Sequence, residues 1–311
     1  MPDPQRVDAV AKRLAAQIQA GNSTLLEKFP IETYLRLLDE VPEPASYRNL
    51  GPDLEDHCAQ IEAHSDARVA ELYHRLLLAR LALSAGEKLA SRRLPDEVKA
   101  SFEEQFDRII TEIETGERPA GFYRHSEDAF CKDLAVCTLR LIPIQGRVCE
   151  WVRFPTRNLF KGGWRQSLEG MVFLLLEAGG RAPFLEEHWA THDPGFKEKF
   201  TFQGMIRYYR LVAEIMKLDE RIKGHFGTGW MNDPQVERVS PRLAYFWYFH
   251  LANGGRMFRT GPSRDAVESA TTKSATRMRL CSEGKYLPTN YTHAWSRKRL
   301  IKWADKLNWY W

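Results

Sequence analysis

The segment Val98 to Gly121, VKASFEEQFDRIITEIETGERPAG, decides how the chain is read. Val98, Phe102, Phe106, Ile109 and Ile113 recur at helical spacing, so one apolar stripe runs down a helix that Gly116 can end. Glu117-Arg118-Pro119-Ala120-Gly121 then breaks the pattern, and the segments that follow are shorter and more β-prone. The expected fold class is α+β and helix-rich: a helical N-terminal region over 1–116, then a mixed region over 122–311 in which a small sheet is surrounded by helices.

Working back from Val98, residues Val69, Leu72, Tyr73, Leu76, Ala79 and Leu83 line a long helix ending at Gly86. Val7, Val10, Leu14 and Ile18 line another that closes at Gly21-Asn22, and Pro30 opens a third that Pro42 and Pro44 break. Short loops between such helices favour antiparallel neighbours in a bundle or cap. Working forward, 134–144, 147–154 and 170–177 read as strands, the last equally well as a helix. Ile206, Tyr209, Val212, Ala213 and Met216 stripe a helix over 201–219. The aromatic run Tyr245 to Phe249 suits helix or strand; Ser263 can cap a helix running to Glu283, and 295–306 can form a last one.

The composition, 43% hydrophobic and 28% charged over 311 residues, is that of a globular chain. Its longest strongly apolar runs, Met171 to Leu176 and Leu243 to Phe249, fall far short of the roughly 20 residues of a membrane span, so no membrane insertion is expected. The N-terminus lacks a basic stretch followed by an apolar block, which predicts a cytoplasmic location. Cys58, Cys131, Cys137, Cys149 and Cys281 include no Cys-x-x-Cys pair and read as reduced, mostly buried thiols. Nothing in the sequence sets an oligomeric state.

Charge is unevenly spread. From Arg256 to Trp311 there are 12 Lys or Arg against four Asp or Glu, and since the whole chain carries +4, the preceding residues are net acidic. Arg277, Arg279, Lys285, Arg297, Lys298, Arg299 and Lys302 are interleaved with Tyr286, Tyr291, Trp295, Trp303 and Trp309. Cations among aromatic rings suit phosphates and bases, but aromatic residues at helical spacing more often pack inward, with the cations solvated or docked on acidic neighbours.

The densest ionisable cluster is Glu186-Glu187-His188-Trp189-Ala190-Thr191-His192-Asp193. His188 and Asp193 stand in the places of the His-x-x-x-x-Asp motif, and the stretch resembles that of glycerolipid acyltransferases. The resemblance implies that His188 is the general base on an acceptor hydroxyl and that Asp193 orients it. The family's later Phe-Pro-Glu-Gly motif is absent; Phe154-Pro155-Thr156-Arg157 precedes the histidine. Strands ahead of the helix at 201–219 also resemble, in element order, the acetyl-CoA-dependent N-acetyltransferases, which implies a pyrophosphate at that helix N-terminus. The family's Gln/Arg-x-x-Gly-x-Gly/Ala loop is replaced here by Phe200-Thr201-Phe202-Gln203-Gly204.

On a helix, His188 and His192 would share a face and hold one metal, Fe or Zn, with Glu187 or Asp193 as a further ligand and His225 or His250 available as a third protein ligand. The competing reading is a helix end with solvated histidines. Gly224-His225-Phe226-Gly227-Thr228-Gly229 reads as a flexible turn, with His225, Trp230, Asn232 and Asp233 suited to a ligand pocket.

The expected function is acyl transfer from an acyl-CoA-like thioester donor to a small-molecule substrate. His188 and Asp193 are the catalytic pair, and His225, Trp230, Asn232, Asp233, Arg277 and Arg279 bind the donor. The alternatives are a non-haem metal enzyme using His188, His192 and Glu187, and a nucleic-acid-binding protein acting through the basic aromatic C-terminal region, the latter not favoured.

Overall fold

The structure is a computed structural model that describes residues 2–41, 46–193 and 195–307. Pro42, Pro44, Pro194 and Trp309 lie outside the described residues. The chain forms two compact units, one of residues 1–151 with 189–196 and one of residues 152–188 with 197–311.

The first unit is built from α1 (Pro4–Gly21), α2 (Leu25–Lys28), α3 (Ile31–Glu40), α4 (Pro52–Ala63), α5 (Ala67–Ser91), α6 (Asp96–Thr115) and α7 (Asp128–Cys137), followed by the antiparallel hairpin β1 (Leu141–Ile144) and β2 (Arg147–Val152). The stripes read from the sequence are the buried faces: Val7, Val10, Leu14 and Ile18 on α1, and Val98, Phe102, Phe106, Ile109 and Ile113 on α6. Gly116 caps α6 at φ +71°, a conformation that glycine adopts without strain. Residues 134–137, expected in a strand, finish α7 instead. Every residue from Phe130 to Cys137 is buried, and a run wet on neither side carries no period to separate helix from strand.

Several buried polar groups inside this unit are paired. Arg108 is clamped between Asp133 and Glu112, and His192 Nε2 lies 3.3 Å from the same Asp133. Burial alone would raise the Asp133 carboxyl, but Arg108 and His192 hold it down at about 2. Tyr34 Oη pairs with His125 Nε2 and lies 3.1 Å from Cys58 Sγ. His74 Nδ1 sits 2.7 Å from the Tyr123 carbonyl, an acceptor only, so Nδ1 carries the proton. Burial pushes the His74 imidazole down to about 4 and the Cys58 thiol up to about 12.

The second unit contains α8 (Trp164–Val172), β3 (Phe184–Trp189), α9 (Phe196–Lys199), α10 (Phe202–Leu218), β4 (Gly224–Gly229), α11 (Val236–Val239), α12 (Tyr245–Ala252), β5 (Arg256–Pro262), α13 (Arg264–Thr271), α14 (Ala275–Ser282), β6 (Thr289–Ser296) and α15 (Arg297–Leu307). Trp189 of β3 and Phe196 of α9 are counted with the first unit. The strands run in the order β3-β4-β6-β5, with β3 parallel to β4 and both pairs made by β6 antiparallel. The result is the expected small mixed sheet among helices.

One face of the sheet is aromatic. Phe184, Phe226, Phe258 and Ala294 pack with Phe154, Leu159, Phe173 and Leu174. The last two belong to a π-helical turn, Phe173–Glu177, that continues α8, so 170–177 is helical and not a strand. Thr201 caps α10 by accepting from Gly204 N at 3.0 Å, in agreement with the stripe at 201–219. Trp295 and Trp303 are buried, and Arg299 bonds to Glu177 while Arg297 bonds to the Met216 carbonyl, so the basic aromatic C-terminal region is part of this unit's packing.

The buried neutral His74 gives the first unit a definite pH dependence. Its folded-state pKa lies below the unfolded value of 6.5, so the unfolded chain binds the extra proton, and stability present above pH 6.5 is lost as pH falls through about 4. The loss amounts to about 3 kcal/mol. Urea titrations of the wild type and His74→Gln between pH 7 and pH 4.5 are expected to show a shallower pH slope for the variant; equal slopes would contradict the assignment.

Candidate functional site

The other face of the sheet is polar and buried. Side chains alternate along a strand, so Glu187 of β3, His225 and Gly227 of β4, and His293 and Trp295 of β6 share this face. The register sets Gly227 opposite His293 and His225 opposite Trp295. Between β3 and β4 it pairs Phe184 with Gly224, Leu185 with His225 and Glu186 with Phe226, and there it stops. Glu187 and Gly227 therefore stand at the first step beyond the paired part of the two parallel strands.

Gly227 is what lets the acidic and basic groups meet. A Cβ there would lie 2.5 Å from Glu187 Cγ and 2.7 Å from His293 Cε1, closer than carbon atoms approach. The glycines of 224–229, expected in a flexible turn, instead sit in a strand, and at Gly224 and Gly227 the missing side chains make room for neighbours.

Helices α10 and α12 close over this face. Tyr208 Oη lies 2.8 Å from His225 Nε2. Tyr209 Oη lies 3.1 Å from Glu187 Oε2, 3.1 Å from His293 Nε2 and 3.5 Å from His250 Nε2. The His250 and His293 rings stack at 3.9 Å, 2° from parallel. His225, His250, His293 and both tyrosines are buried.

The outer partners fix where the protons are. The indole Nε1 of Trp295, a donor only, points at His250 Nδ1 at 3.0 Å, so that nitrogen accepts. The Asn232 amide nitrogen is identified by its 3.2 Å bond to the Tyr291 carbonyl, and it donates its other hydrogen to His293 Nδ1 at 3.1 Å. In their neutral forms both imidazoles thus carry hydrogen on Nε2, facing Tyr209. The hydroxyl accepts from His293 and donates to the Glu187 carboxylate, which makes a directed chain from His293 through Tyr209 to Glu187. His225 Nε2 stands 3.6 Å from the same carboxylate oxygen.

Glu187, His225 and His293 also bring three ligand atoms within 4.8 Å of one another. A metal on His293 Nε2 would require hydrogen on Nδ1, where Asn232 already donates, so the hydrogen bonding matches proton transfer better than ligation.

The residues named from the sequence are distributed as follows. Residues 184–189 form a strand and not the helix on which a shared His188/His192 face depended, so Glu187 and His188 point to opposite sides of β3. His188 belongs to the second unit, on the side of Phe184 and Glu186. Asp193 and His192 belong to the first, where Asp193 is buried and accepts from Gln105 Nε2 at 3.1 Å. Trp230 and Asn232 form a 3-10 turn after β4, and Asp233 accepts from Gln235 N and Thr289 N, tying that turn to the start of β6. The Arg277 guanidinium lies 4.7 Å from the Trp230 ring centre and donates to Ser240 and the Ala270 carbonyl, whereas Arg279 pairs on the surface with Glu283. Tyr209 and His293 were not singled out. The sequence signal for His293 is period-two placement, since it shares a strand face with Tyr291 and Trp295 as His225 does with Gly227, and Tyr209 shows only as one position of the helical stripe of α10.

No protein-family model matches the chain, and no curated protein matches it significantly. Two solved structures do. One is an acyltransferase mutant in complex with octanoyl-CoA, with a TM-score of 0.54 and 11% identity over 89% of this chain and 80% of that one. The other is an acyltransferase in complex with decanoyl-CoA, with a TM-score of 0.47 and 11% identity over 91% of this chain and 98% of that one. At such identity the first likeness is one of fold.

Gly227→Ala tests the packing of the site. Overpacking of this kind costs about 1–3 kcal/mol, and the variant is expected to melt at a lower temperature than wild type. Unchanged melting would mean that Glu187 and His293 do not meet over Gly227.

Proposed function

We propose that the chain transfers an acyl group from a thioester donor of the acyl-CoA type to a nucleophile on a small-molecule acceptor, with the hydrogen-bonded chain from His293 through Tyr209 ending on Glu187, the carboxylate that takes the acceptor's proton. The observation that carries the reading is the position of this chain at the point where β3 and β4 cease to pair. Ligands of open sheets with parallel strands bind at the carboxyl ends of those strands. The fold likeness to an acyltransferase in complex with octanoyl-CoA supports the donor class. The observed order of β3, α10 and a parallel β4 supports it again through the resemblance to N-acetyltransferases.

In this reading the acceptor nucleophile attacks the thioester carbonyl and gives its proton to the Glu187 carboxylate at the end of the chain. The carbonyl-sulfur bond then breaks and the leaving thiolate takes up that proton, which returns Glu187 to its carboxylate form. A carboxylate suits this task because it becomes neutral on taking the proton, and the Tyr209 hydroxyl, itself held by His293, donates to Glu187 and keeps it in place. His188, on the opposite side of β3, is the competing base.

A thioester-consumption assay with octanoyl-CoA and a panel of amine and hydroxyl acceptors separates the two. Tyr209→Phe and His293→Gln are each expected to lower turnover by about 10²- to 10⁴-fold, with His188→Ala close to wild type. Loss of turnover in His188→Ala alone would transfer the base to His188. Wild-type protein that consumes no thioester with any acceptor would remove the reading altogether.

A further inference from the structure

The helix α8 and the π turn that continues it carry two apolar faces, and only one is used. Phe173 and Leu174 point into the aromatic core of the second unit. On the other side Trp164, Leu168, Met171, Leu175 and Leu176 form a stripe roughly 100° wide, the width of a face meant to be covered. These side chains are open to solvent, Trp164 at 73% and Leu176 at 79%, and Phe160 extends the patch at its start. Monomeric proteins seldom leave so many large apolar groups contiguous unless the surface meets a partner.

The charges around the stripe select the partner. From Arg153 to Leu176 the sequence holds four cations, Arg153, Arg157, Lys161 and Arg165, and one acid, Glu169. All four cations are exposed, and the Arg165 guanidinium lies 5.4 Å from the Trp164 ring centre, beside the stripe itself. Trp and Phe at the edge of a leucine face, flanked by Lys and Arg, are the pattern of a helix that lies in a lipid interface, its apolar side among the acyl chains and its cations at the headgroups.

We infer that the exposed face of α8 and its π turn docks the protein on an anionic membrane surface, lying on the bilayer and not spanning it. The inference stands on unit-two surface residues and does not depend on the proposed chemistry. No helix among the described residues is long and apolar enough to cross a membrane, so the contact is peripheral.

Co-sedimentation of the full chain with vesicles of phosphatidylcholine, and of phosphatidylcholine mixed with phosphatidylglycerol, tests it. The wild type is expected to partition onto the mixed vesicles, more weakly as salt is raised, and to remain largely in solution with phosphatidylcholine alone. Leu168→Ser/Leu175→Ser/Leu176→Ser should weaken partitioning by more than roughly tenfold. Each neutralisation among Arg157, Lys161 and Arg165 should weaken it by roughly fivefold. Far-ultraviolet circular dichroism should be unchanged, and Leu176→Ser alone serves if the triple variant does not fold. Wild-type protein that stays in solution with both vesicle types overturns the inference. So does a wild-type dimer, seen by sedimentation equilibrium, that the leucine variant makes monomeric while vesicles bind neither, since the face would then belong to a second copy of the chain.

Discussion

The hydroxyl of Tyr209 is shared by a carboxylate and two imidazoles in a part of the protein that water does not reach, and the second unit is arranged around that sharing. A buried polar group without a partner costs about 1–3 kcal/mol, so one ring on α10 holds three such penalties in check. This demand fixes α10 against the sheet, sets α12 so that His250 stacks on His293, and requires Trp295 and Asn232 to supply donors from outside. It also explains Gly227, whose missing side chain leaves space for Glu187 and His293.

The same strand, β3, sorts neighbouring residues into different environments. Phe184 joins the aromatic core, Glu187 joins the polar chain, and His188 turns the other way. A run of ionisable residues that looks like one cluster in the sequence is thereby divided between two surfaces. Proximity in sequence and proximity in space part company most sharply in strands, where adjacent side chains point in opposite directions.

Much of the fold was legible because solvent wrote a period into it. The helices α1 and α6 have one wet and one dry side, and their stripes mark their buried faces, whereas α5 is buried around most of its surface and runs past Gly86 to Ser91. The helix α7 was misread because it is almost wholly buried and carries no period, and the strand β4 because its glycines read as a turn. The site was legible only in part. His225 and Asn232 drew notice as polar groups near glycines, and His250 was named as a possible ligand, whereas Tyr209 looked like one more apolar position on an amphipathic helix. Its hydroxyl matters because of what β3 and β6 bring to it, and no local pattern records a meeting of residues 187, 209 and 293.

The strand order carries a consequence for how the protein is made. The strand β6 comes last in sequence yet lies between β4 and β5, pairing with both. On the ribosome, β4 and β5 must wait for residues 289–296 before either gains that neighbour. At synthesis rates of about 5–20 residues per second, β4 stays without it for several seconds after its own residues emerge, and its unpaired edge is open to other chains in that interval. The first unit meets no such delay, because its helices are local and complete early. Nascent-chain folding should therefore be staggered, with the helical bundle standing well before the sheet and its buried histidines close.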